Sequence, residues 1–228
     1  MGTLASNRKG FITGTSAANY ASSLNVTSGT ATDSATGNQN CIQYFRSSGR
    51  GGGTFRFIRT FIHFNTTNLT EASNISLQLT SAGGSNSSNF NVTAIKHDAG
   101  GGNGGQIVDN DFNNIFRATA YSAATSFASS GTITFSLNAA AVEQINNNND
   151  FNIALLLTID ALESEEDPLE EDGNITNSIA FSSAINLVYT EPAAPSGYSN
   201  TVNTVADDNI AKVNTVATAN IGKVIAVG

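Results

Sequence analysis

Residues 151–159 read Phe-Asn-Ile-Ala-Leu-Leu-Leu-Thr-Ile, the most apolar strand-like stretch of the chain. Because side chains alternate across a β-strand, one face would carry Phe151, Ile153, Leu155, Leu157 and Ile159. Ala154 and Leu156 would make the other face apolar as well. A strand with two apolar faces belongs inside a covered sheet. We therefore predict that 151–159 is a central strand.

Three other segments, 75–79, 90–94 and 133–137, alternate apolar with polar side chains, as half-buried strands do. We predict that the first two pair antiparallel across the polar loop 81–89. Residues 54–64 form a long, aromatic-rich strand in which the apolar positions change from odd to even. That change indicates either a bulge or burial on both faces.

The rest of the first 191 residues adds short elements. Further strand candidates are 41–46, 179–181 and 185–189, with one or two short edge strands within 11–40. Asn138 can cap a helix at 139–145, the one helix that we predict with its cap. Residues 109–116 favour a short helix or a loop. Many short strands and little helix predict an all-β fold, an antiparallel jelly-roll sandwich over residues 1–191.

An 11-residue repeat follows the prolines at 192 and 195 and predicts a separate segment, 192–228. Its period fits a slightly coiled helix, but its Thr, Val and Asn content favours short helical turns between extended pieces. The repeated apolar positions are Val202, Val205, Ile210, Val213, Val216, Ile221, Val224, Ile225 and Val227. So short a segment cannot bury this stripe alone, so we predict an extended arm that docks on another chain.

Charge restricts the partners. The net charge is −8, with +5 over residues 1–97 and −13 over residues 98–228. An acidic chain is not expected to bind nucleic acid or an anionic membrane, whereas the asymmetry suits head-to-tail association of copies. No apolar run approaches the roughly 20 residues of a transmembrane helix. Cys41 has no partner cysteine, which favours folding in a reducing cytoplasm.

A carboxylate-rich loop is the main metal candidate. It contains Glu163, Glu165, Glu166, Asp167, Glu170, Glu171 and Asp172. Oxygen ligands at this density suit calcium, but the Asp-x-Asp-x-Asp-Gly spacing of a preformed calcium loop is missing. We therefore expect the loop to be a solvated, self-repelling surface without a cofactor, with calcium binding as the alternative. Asp109 and Asp111 are a weaker pair of candidates.

Catalytic signals are sparse. His63 and His97 are the two histidines, and His97 precedes Asp98, which can orient an imidazole. The chain has no Gly-x-Ser-x-Gly nucleophile elbow beside them. We therefore expect core or surface histidines and a protein that is not an enzyme.

Two groups of side chains are candidates for binding. Arg46, Arg50, Arg56 and Arg59 form the one basic cluster, which we predict contacts an acidic neighbour such as the 163–172 loop of another subunit; the alternative is scattered surface charge. Tyr121 and Tyr198 are candidates for stacking on a sugar ring.

The order of strands resembles a known family. Residues 56–65 (Arg-Phe-Ile-Arg-Thr-Phe-Ile-His-Phe-Asn), then 75–79 and 91–95, resemble the first half of DNRLRE-type, carbohydrate-binding-like jelly rolls. Residues 134–137 and the final 187–189 are similar to the second half, so the likeness covers about 11–190. The chain departs from the family at Asn65, where an Asp is usual, and in having no Trp. The resemblance implies a jelly-roll fold.

The C-terminal repeat resembles short tandem repeats in structural proteins of tailed phages, particularly marine ones. That resemblance implies a non-enzymatic virion protein, folded in the host cytoplasm, that contacts other virion proteins and forms a homo-oligomer such as a trimer. A capsid decoration or cement subunit is our first hypothesis. The alternative is a tail fibre or spike component whose jelly roll binds a glycan receptor.

Overall fold

A computed structural model describes residues 1–16, 19–33, 39–47, 53–85, 90–101, 105–128, 130–162, 175–192, 212–213 and 216–217. It divides into two units, Met1–Thr190 and Glu191–Gly228. The division lies one residue from the boundary that the prolines predict. Among the described residues, no helix has the length and hydropathy that crossing a membrane requires.

The first unit is built mainly from strands. These are β1 (Gly2–Ala5), β2 (Arg8–Ser16), β3 (Thr30–Thr32), β4 (Gln39–Ser47), β5 (Thr54–Asn65), β6 (Ser73–Ser85), β7 (Val92–His97), β8 (Ile115–Ala120), β9 (Gly131–Ser136), β10 (Asp150–Leu157) and β11 (Ile175–Thr190). The α-helices are α1 (Tyr20–Leu24), α2 (Ala139–Asn147) and α3 (Thr158–Ala161), and 3-10 helices lie at Ala99–Gly101 and Asp109–Asn113.

The strands form one antiparallel network in the order β8-β7-β10-β5-β4-β11-β6-β9, with β1 beside β11, β2 beside β5 and β3 beside β2. The predicted all-β antiparallel sandwich is confirmed. Two strands change neighbours along their length. β5 pairs with β4 near its start and with β10 near its end, and β11 changes from β4 to β1. These changes allow one hydrogen-bonded network to turn from one layer of the sandwich into the other.

The two most apolar strands lie where the sequence predicts. β10 is central, between β7 and β5, and its residues 153–157 are all buried. β5 is buried on both faces from Phe57 to Phe64, which decides between the two interpretations of its pattern. The core includes residues from both faces of β5, and Arg59 on one of these faces contacts α1, α3 and the 3-10 helix at Asp109–Asn113.

The predicted hairpin of 75–79 with 90–94 is wrong. β6 pairs with β11 and β9, whereas β7 pairs with β10 and β8. Alternation reports which face of a strand is buried but carries no information about its neighbour. The long connection between β6 and β7 does not force the two strands to be adjacent, as a two-residue turn would.

The helices partly match the prediction. α2 is capped by Asn138, whose side chain accepts a hydrogen bond of 3.1 Å from the Ala141 amide. α1, which Asn19 caps in the same way, was not predicted. α3 was not predicted either, and it ends the strand at Leu157 instead of residue 159. β8 adds a strand directly after the 3-10 helix in the region predicted as a helix or a loop.

Besides residues 191–192, the described part of the second unit consists of two short strands, β12 (Lys212–Val213) and β13 (Val216–Ala217), which pair antiparallel. Extended backbone at Val216 agrees with the extended pieces predicted for the repeat. Several predictions lie outside the described residues: the acidic loop from Glu163 to Asp172, Arg50, Tyr198, the Cys41 side chain, and the stripe positions Val202, Val205, Ile210, Ile221, Val224, Ile225 and Val227. For Val213 and Val216 the backbone is described.

Candidate functional site

Two buried polar sites lie on one face of β5. Arg59 and His63 are four residues apart and project to the same side of the strand, with Phe61 between them. Both side chains are completely buried. We call the surroundings of Arg59 the Arg59 site, and the cavity lined by His63 the His63 cavity.

The Arg59 guanidinium uses all five of its N–H groups. Nε donates to Asp160 Oδ2 at 2.7 Å, and one Nη donates to Asp160 Oδ1 at 2.7 Å and to the Leu24 carbonyl at 2.6 Å. The other Nη donates to the Phe112 carbonyl at 2.7 Å and to Asn113 Oδ1 at 2.8 Å. Five donors with five acceptors satisfy the hydrogen-bonding capacity of the group. The Arg59 site therefore joins β5 to the ends of α1, α3 and the 3-10 helix at Asp109–Asn113.

A second arginine also forms an ion pair with Asp160. Arg117 on β8 donates to Asp160 Oδ1 at 3.2 Å and to the Asp160 carbonyl at 3.1 Å. Its side chain is 16% exposed, whereas that of Asp160 is 1% exposed. The buried carboxylate thus lies between an enclosed guanidinium and one that reaches solvent.

The Arg59 guanidinium also stacks on an aromatic ring, 3.8 Å above the centroid of Phe112. Gly14 on β2 packs against the same ring, so closely that a Cβ there would overlap Phe112. Glycine is required here by the close approach of ring and backbone. The Arg59 site is a packed structural clamp rather than a ligand site, because every donor is engaged and no space is left.

His97 on β7 is saturated too. Its Nε2 donates to the Ile62 carbonyl at 3.1 Å, and its Nδ1 accepts from the Ala99 amide at 3.1 Å. This pattern requires the neutral ring, since a second proton would remove the acceptor for Ala99. Burial, together with the nearby His63, lowers the pKa of His97 to about 3. Of the two alternatives left by the sequence, core or surface, burial places His97 in the core.

His63 differs from its neighbour. The two rings are 4.8 Å apart, edge to face. Nδ1 of His63 lies 2.7 Å from Asn152 Oδ1, but the buried Nε2 has no hydrogen-bond partner. Burial lowers the pKa of His63. This ring is neutral with one nitrogen unused.

The His63 cavity has a volume of about 330 Å³ at the end of β5. Besides His63 it is lined by Asn7, Phe64, Asn65, Thr67, Asn149 and Asp150. Most of these side chains are polar and can donate or accept hydrogen bonds. The cavity is therefore a polar depression whose outer side chains are exposed, next to the enclosed His63 ring.

A larger cavity, of about 470 Å³, lies beside Asp33 and Asp109. Both carboxylates are already used. Asp33 accepts from Arg8 at 3.0 Å and from the Ile107 amide at 3.1 Å, and Asp109 accepts from the Ala31 amide at 2.7 Å. These bonds hold the cavity wall together. We therefore regard this cavity as a surface depression and not as a site.

The predicted basic cluster is wrong for the three arginines that the structure describes. Arg59 is enclosed. Arg56 pairs across the strands with Phe45, and Arg46 pairs with Phe55. Since successive pairs face opposite sides of a sheet, Arg46 and Arg56 project from opposite faces. Each lies over its own partner ring, at 5.8 Å for Arg46 and 4.6 Å for Arg56.

Two other candidate residues, Tyr121 and Asp111, are buried as well. Tyr121 is 2% exposed and cannot present a stacking face to a sugar, and burial raises its pKa to about 12. Asp111 accepts from the Gly100 and Val108 amides, so it holds the loop together. Across the described ranges, no group of three or more His, Cys, Asp or Glu side chains is placed to hold a metal ion.

No family model matches the chain. A search of the curated proteins finds no match either. The resemblance to DNRLRE-type domains therefore remains a hypothesis about the relatives of this chain. The all-β fold does not depend on it, because the fold follows from the strands.

The Arg59 site was not predicted from the sequence, although a signal was present. Phe57 and Phe61 lie on the same face as Arg59, so an arginine between them is expected to be buried. A buried arginine requires an acidic partner in a similar environment. Asp160, directly after the most apolar strand, is the acidic residue that fits this description.

Proposed function

We propose that this chain is a non-enzymatic structural subunit of a tailed-phage virion, a decoration or cement protein whose arm at 192–228 docks on neighbouring chains. One observation carries the proposal. In the described part of the chain, the hydrophobic core and the side chains packed on it come from residues up to Tyr189. The body thus has its own core, and the segment at 192–228 repeats Val and Ile at intervals of 11 residues in a stripe that so short a segment cannot bury by itself.

The energy available to such an arm is considerable. Burial of an aliphatic side chain stabilises an interface by about 1–2 kcal/mol. The stripe contains nine aliphatic side chains from Val202 to Val227. Part of the gain is offset by ordering the arm, but the remainder is enough to hold a subunit to its neighbours. A homo-oligomer, such as a trimer, and other virion proteins are the partners that we propose.

The charge distribution supports association between copies. The first 97 residues carry +5 and the remainder carries −13. Opposite net charges in the two halves favour contacts between unlike regions of neighbouring subunits. Such contacts weaken as salt increases, whereas apolar burial by the arm does not.

The proposal is tested with the full chain and an arm variant, Val202→Asn/Val213→Asn/Val224→Asn. We expect the unchanged chain to be oligomeric by light scattering and to co-sediment with virions, and the variant to lose both properties while keeping its circular dichroism spectrum. Thr204→Ser/Thr215→Ser is the matched control in the same repeat. A full chain that is monomeric and does not sediment with particles would refute the proposal.

The second candidate is a glycan-binding jelly roll on a tail fibre or spike, and the resemblance to DNRLRE-type, carbohydrate-binding-like jelly rolls favours it. In this case the arm only anchors or trimerises the protein. Glycan binding that persists in the arm variant would support this candidate, and binding that requires the arm would exclude it.

A further inference from the structure

One outer strand of the sheet network, β9, has a regular and unprotected edge. Its six residues pair in continuous register with β6 on one side. On the other side, no strand formed by the described residues lies beside it. β9 contains no charged residue and no proline. Edge strands normally carry such residues, or are short or bulged, because an open edge pairs readily with another chain.

Two other outer strands, β3 and β8, are protected in these ways. β3 has only three residues. The pairing of β8 with β7 is interrupted by a register shift between Ile95 and Lys96, and β8 carries the charged Arg117. Of these three strands, β9 is therefore the one best suited to accept a further strand.

The ladder with β6 shows which backbone groups of β9 face outward. The amide of Leu137, one residue beyond β9, donates to the Ile75 carbonyl of β6 at 3.1 Å. Hydrogen-bonded pairs alternate along an antiparallel ladder, so Phe135 and Ile133 also bond to β6. The residues whose N–H and C=O groups point away from β6 are then Thr132, Thr134 and Ser136. No described residue bonds to these outward groups.

A cavity of about 450 Å³ lies along this edge. It is lined by residues 125–128, Ser130 and residues 132–134, and none of these belongs to β6. Successive residues of a strand face opposite sides of the sheet. A space that touches three successive residues of β9 without touching β6 therefore lies at the open edge. We call this space the β9 groove; Phe127 and Ile133 make part of its lining apolar.

The repeat of the arm matches this edge. The sequence Val-Asn-Thr-Val-Ala occurs at 202–206 and again at 213–217, without a charge or a proline. In the second of these segments, Val213 and Val216 pair as strand residues. That hairpin has two residues in each strand, and so small a hairpin is marginal in water. Pairing with the longer β9 would be more favourable, and the apolar lining of the groove would receive a valine.

The arm is long enough to reach another copy. Thr190, the last residue of the body, pairs with Ser73 on β6, the strand next to β9. The residues that follow, 191–228, span up to about 120 Å when extended. In a symmetric oligomer, each arm then reaches the β9 edge of the next copy, and every edge receives one arm.

We infer that the Val-Asn-Thr-Val-Ala segment of one copy adds to the open edge of β9 in a neighbouring copy as a further strand. Main-chain hydrogen bonds to Thr132, Thr134 and Ser136 hold the added strand, and a valine of the segment packs in the β9 groove. This inference rests on the proposed docking of the arm and names the surface that receives it.

Amide hydrogen exchange in the full chain tests the pairing. In the unchanged chain, the outward amides of Thr132, Thr134 and Ser136 should exchange at least about tenfold more slowly than in the arm variant. The amides of Ile133 and Phe135, which bond to β6, are the internal control and should be slow in both proteins. Outward amides that exchange at the same rate in both proteins would overturn the inference.

A proline variant tests the edge directly. Thr134→Pro removes an outward N–H but leaves the ladder to β6 intact, and edge strands tolerate proline at such positions. Association measured by light scattering should weaken by about tenfold, with an unchanged circular dichroism spectrum. Thr134→Val retains the N–H and is the matched control, so it should associate like the unchanged chain. Equal association of Thr134→Pro would exclude β9 as the docking edge.

A mixture of two variants tests whether the arm comes from another copy. Thr134→Pro has an intact arm and a blocked edge, and the arm variant has the reverse. The mixture should therefore form a 1:1 complex, although each variant alone does not associate. Chains that stay separate would contradict docking between copies. If Thr134→Pro does not fold, the exchange comparison still decides.

Failure of this inference is distinguishable from failure of the virion proposal. If the arm variant loses association while Thr134→Pro keeps it, the arm docks on a surface other than β9, and the virion proposal stands.

Discussion

The Arg59 site and the His63 cavity lie on the same face of one strand but treat their buried polar groups differently. The five donors of Arg59 are met by α1, α3 and the 3-10 helix at Asp109–Asn113. Four residues further on, His63 keeps one nitrogen unpaired beside a cavity. A buried polar group that is saturated by its own chain stabilises the fold, whereas a buried polar atom left without a partner lowers its stability.

The largest effect is expected at Asp160. Asp160→Asn leaves the Arg59 charge buried without its counter-ion, so the free energy of unfolding should fall by about 3–5 kcal/mol in urea denaturation. Asp98→Asn, at an exposed carboxylate, should change it by less than about 0.5 kcal/mol. A loss below about 1 kcal/mol at Asp160 would mean that the clamp does not stabilise the body.

Acid should destabilise the histidine pair. The pKa of His97 is about 3 in the folded chain, below its usual value of about 6.5 in an unfolded one. The unfolded chain therefore binds the proton first, and stability declines as the pH falls from 6.5 towards 3. At pH 4.5 the contribution of His97 is a loss of about 2–3 kcal/mol.

We compare the free energies of unfolding at pH 7 and at pH 4.5 for the unchanged chain and for His97→Gln. Carboxylates titrate in both proteins, so the difference between the two proteins isolates the contribution of His97. The unchanged chain should lose more on acidification than the variant. Equal losses would contradict the locked neutral ring.

The next effect concerns the packing beneath Arg59. Gly14→Ala places a methyl group against the Phe112 ring, on which the Arg59 guanidinium also stacks. We expect the free energy of unfolding to fall by about 2 kcal/mol, as overpacking of a core does. Phe112→Leu should relieve the overlap, so the double variant should lose less than the sum of the two single losses. If the losses of the two single variants simply add, the Phe112 ring is not confined by its contact with Gly14.

The smallest effect is expected at His63. His63→Gln removes one hydrogen bond, to Asn152, and an unpaired nitrogen, so the free energy of unfolding should fall by only about 1 kcal/mol. The measurement is thermal unfolding of His63→Gln, with Asp160→Asn unfolded under the same conditions for comparison. A loss as large as that at Asp160 would place His63 in the structural clamp and remove the contrast between the two ends of β5.

Local features of the fold were predictable. The two apolar faces of β10, the alternation in β6 and the Asn138 cap of α2 follow from spacing and residue type within a few positions. The neighbours of β6 and β7 did not follow, because strand pairing joins distant segments. The basic cluster failed for the same reason. Arginines close in sequence are separated by the pleat of β4 and β5, and Arg59 meets an acid 101 residues away.

The sequence by itself determined that this chain is an antiparallel β-sandwich with a repeat-bearing segment after residue 191, since periodicity and proline positions act over short distances. Only the tertiary structure decided which buried polar groups make all of their hydrogen bonds and which lack a partner. Hydrogen-bond partners come from segments that are remote along the chain, so the difference between Arg59 and His63 appears only when α1, α3, β5, β7 and β10 are packed together.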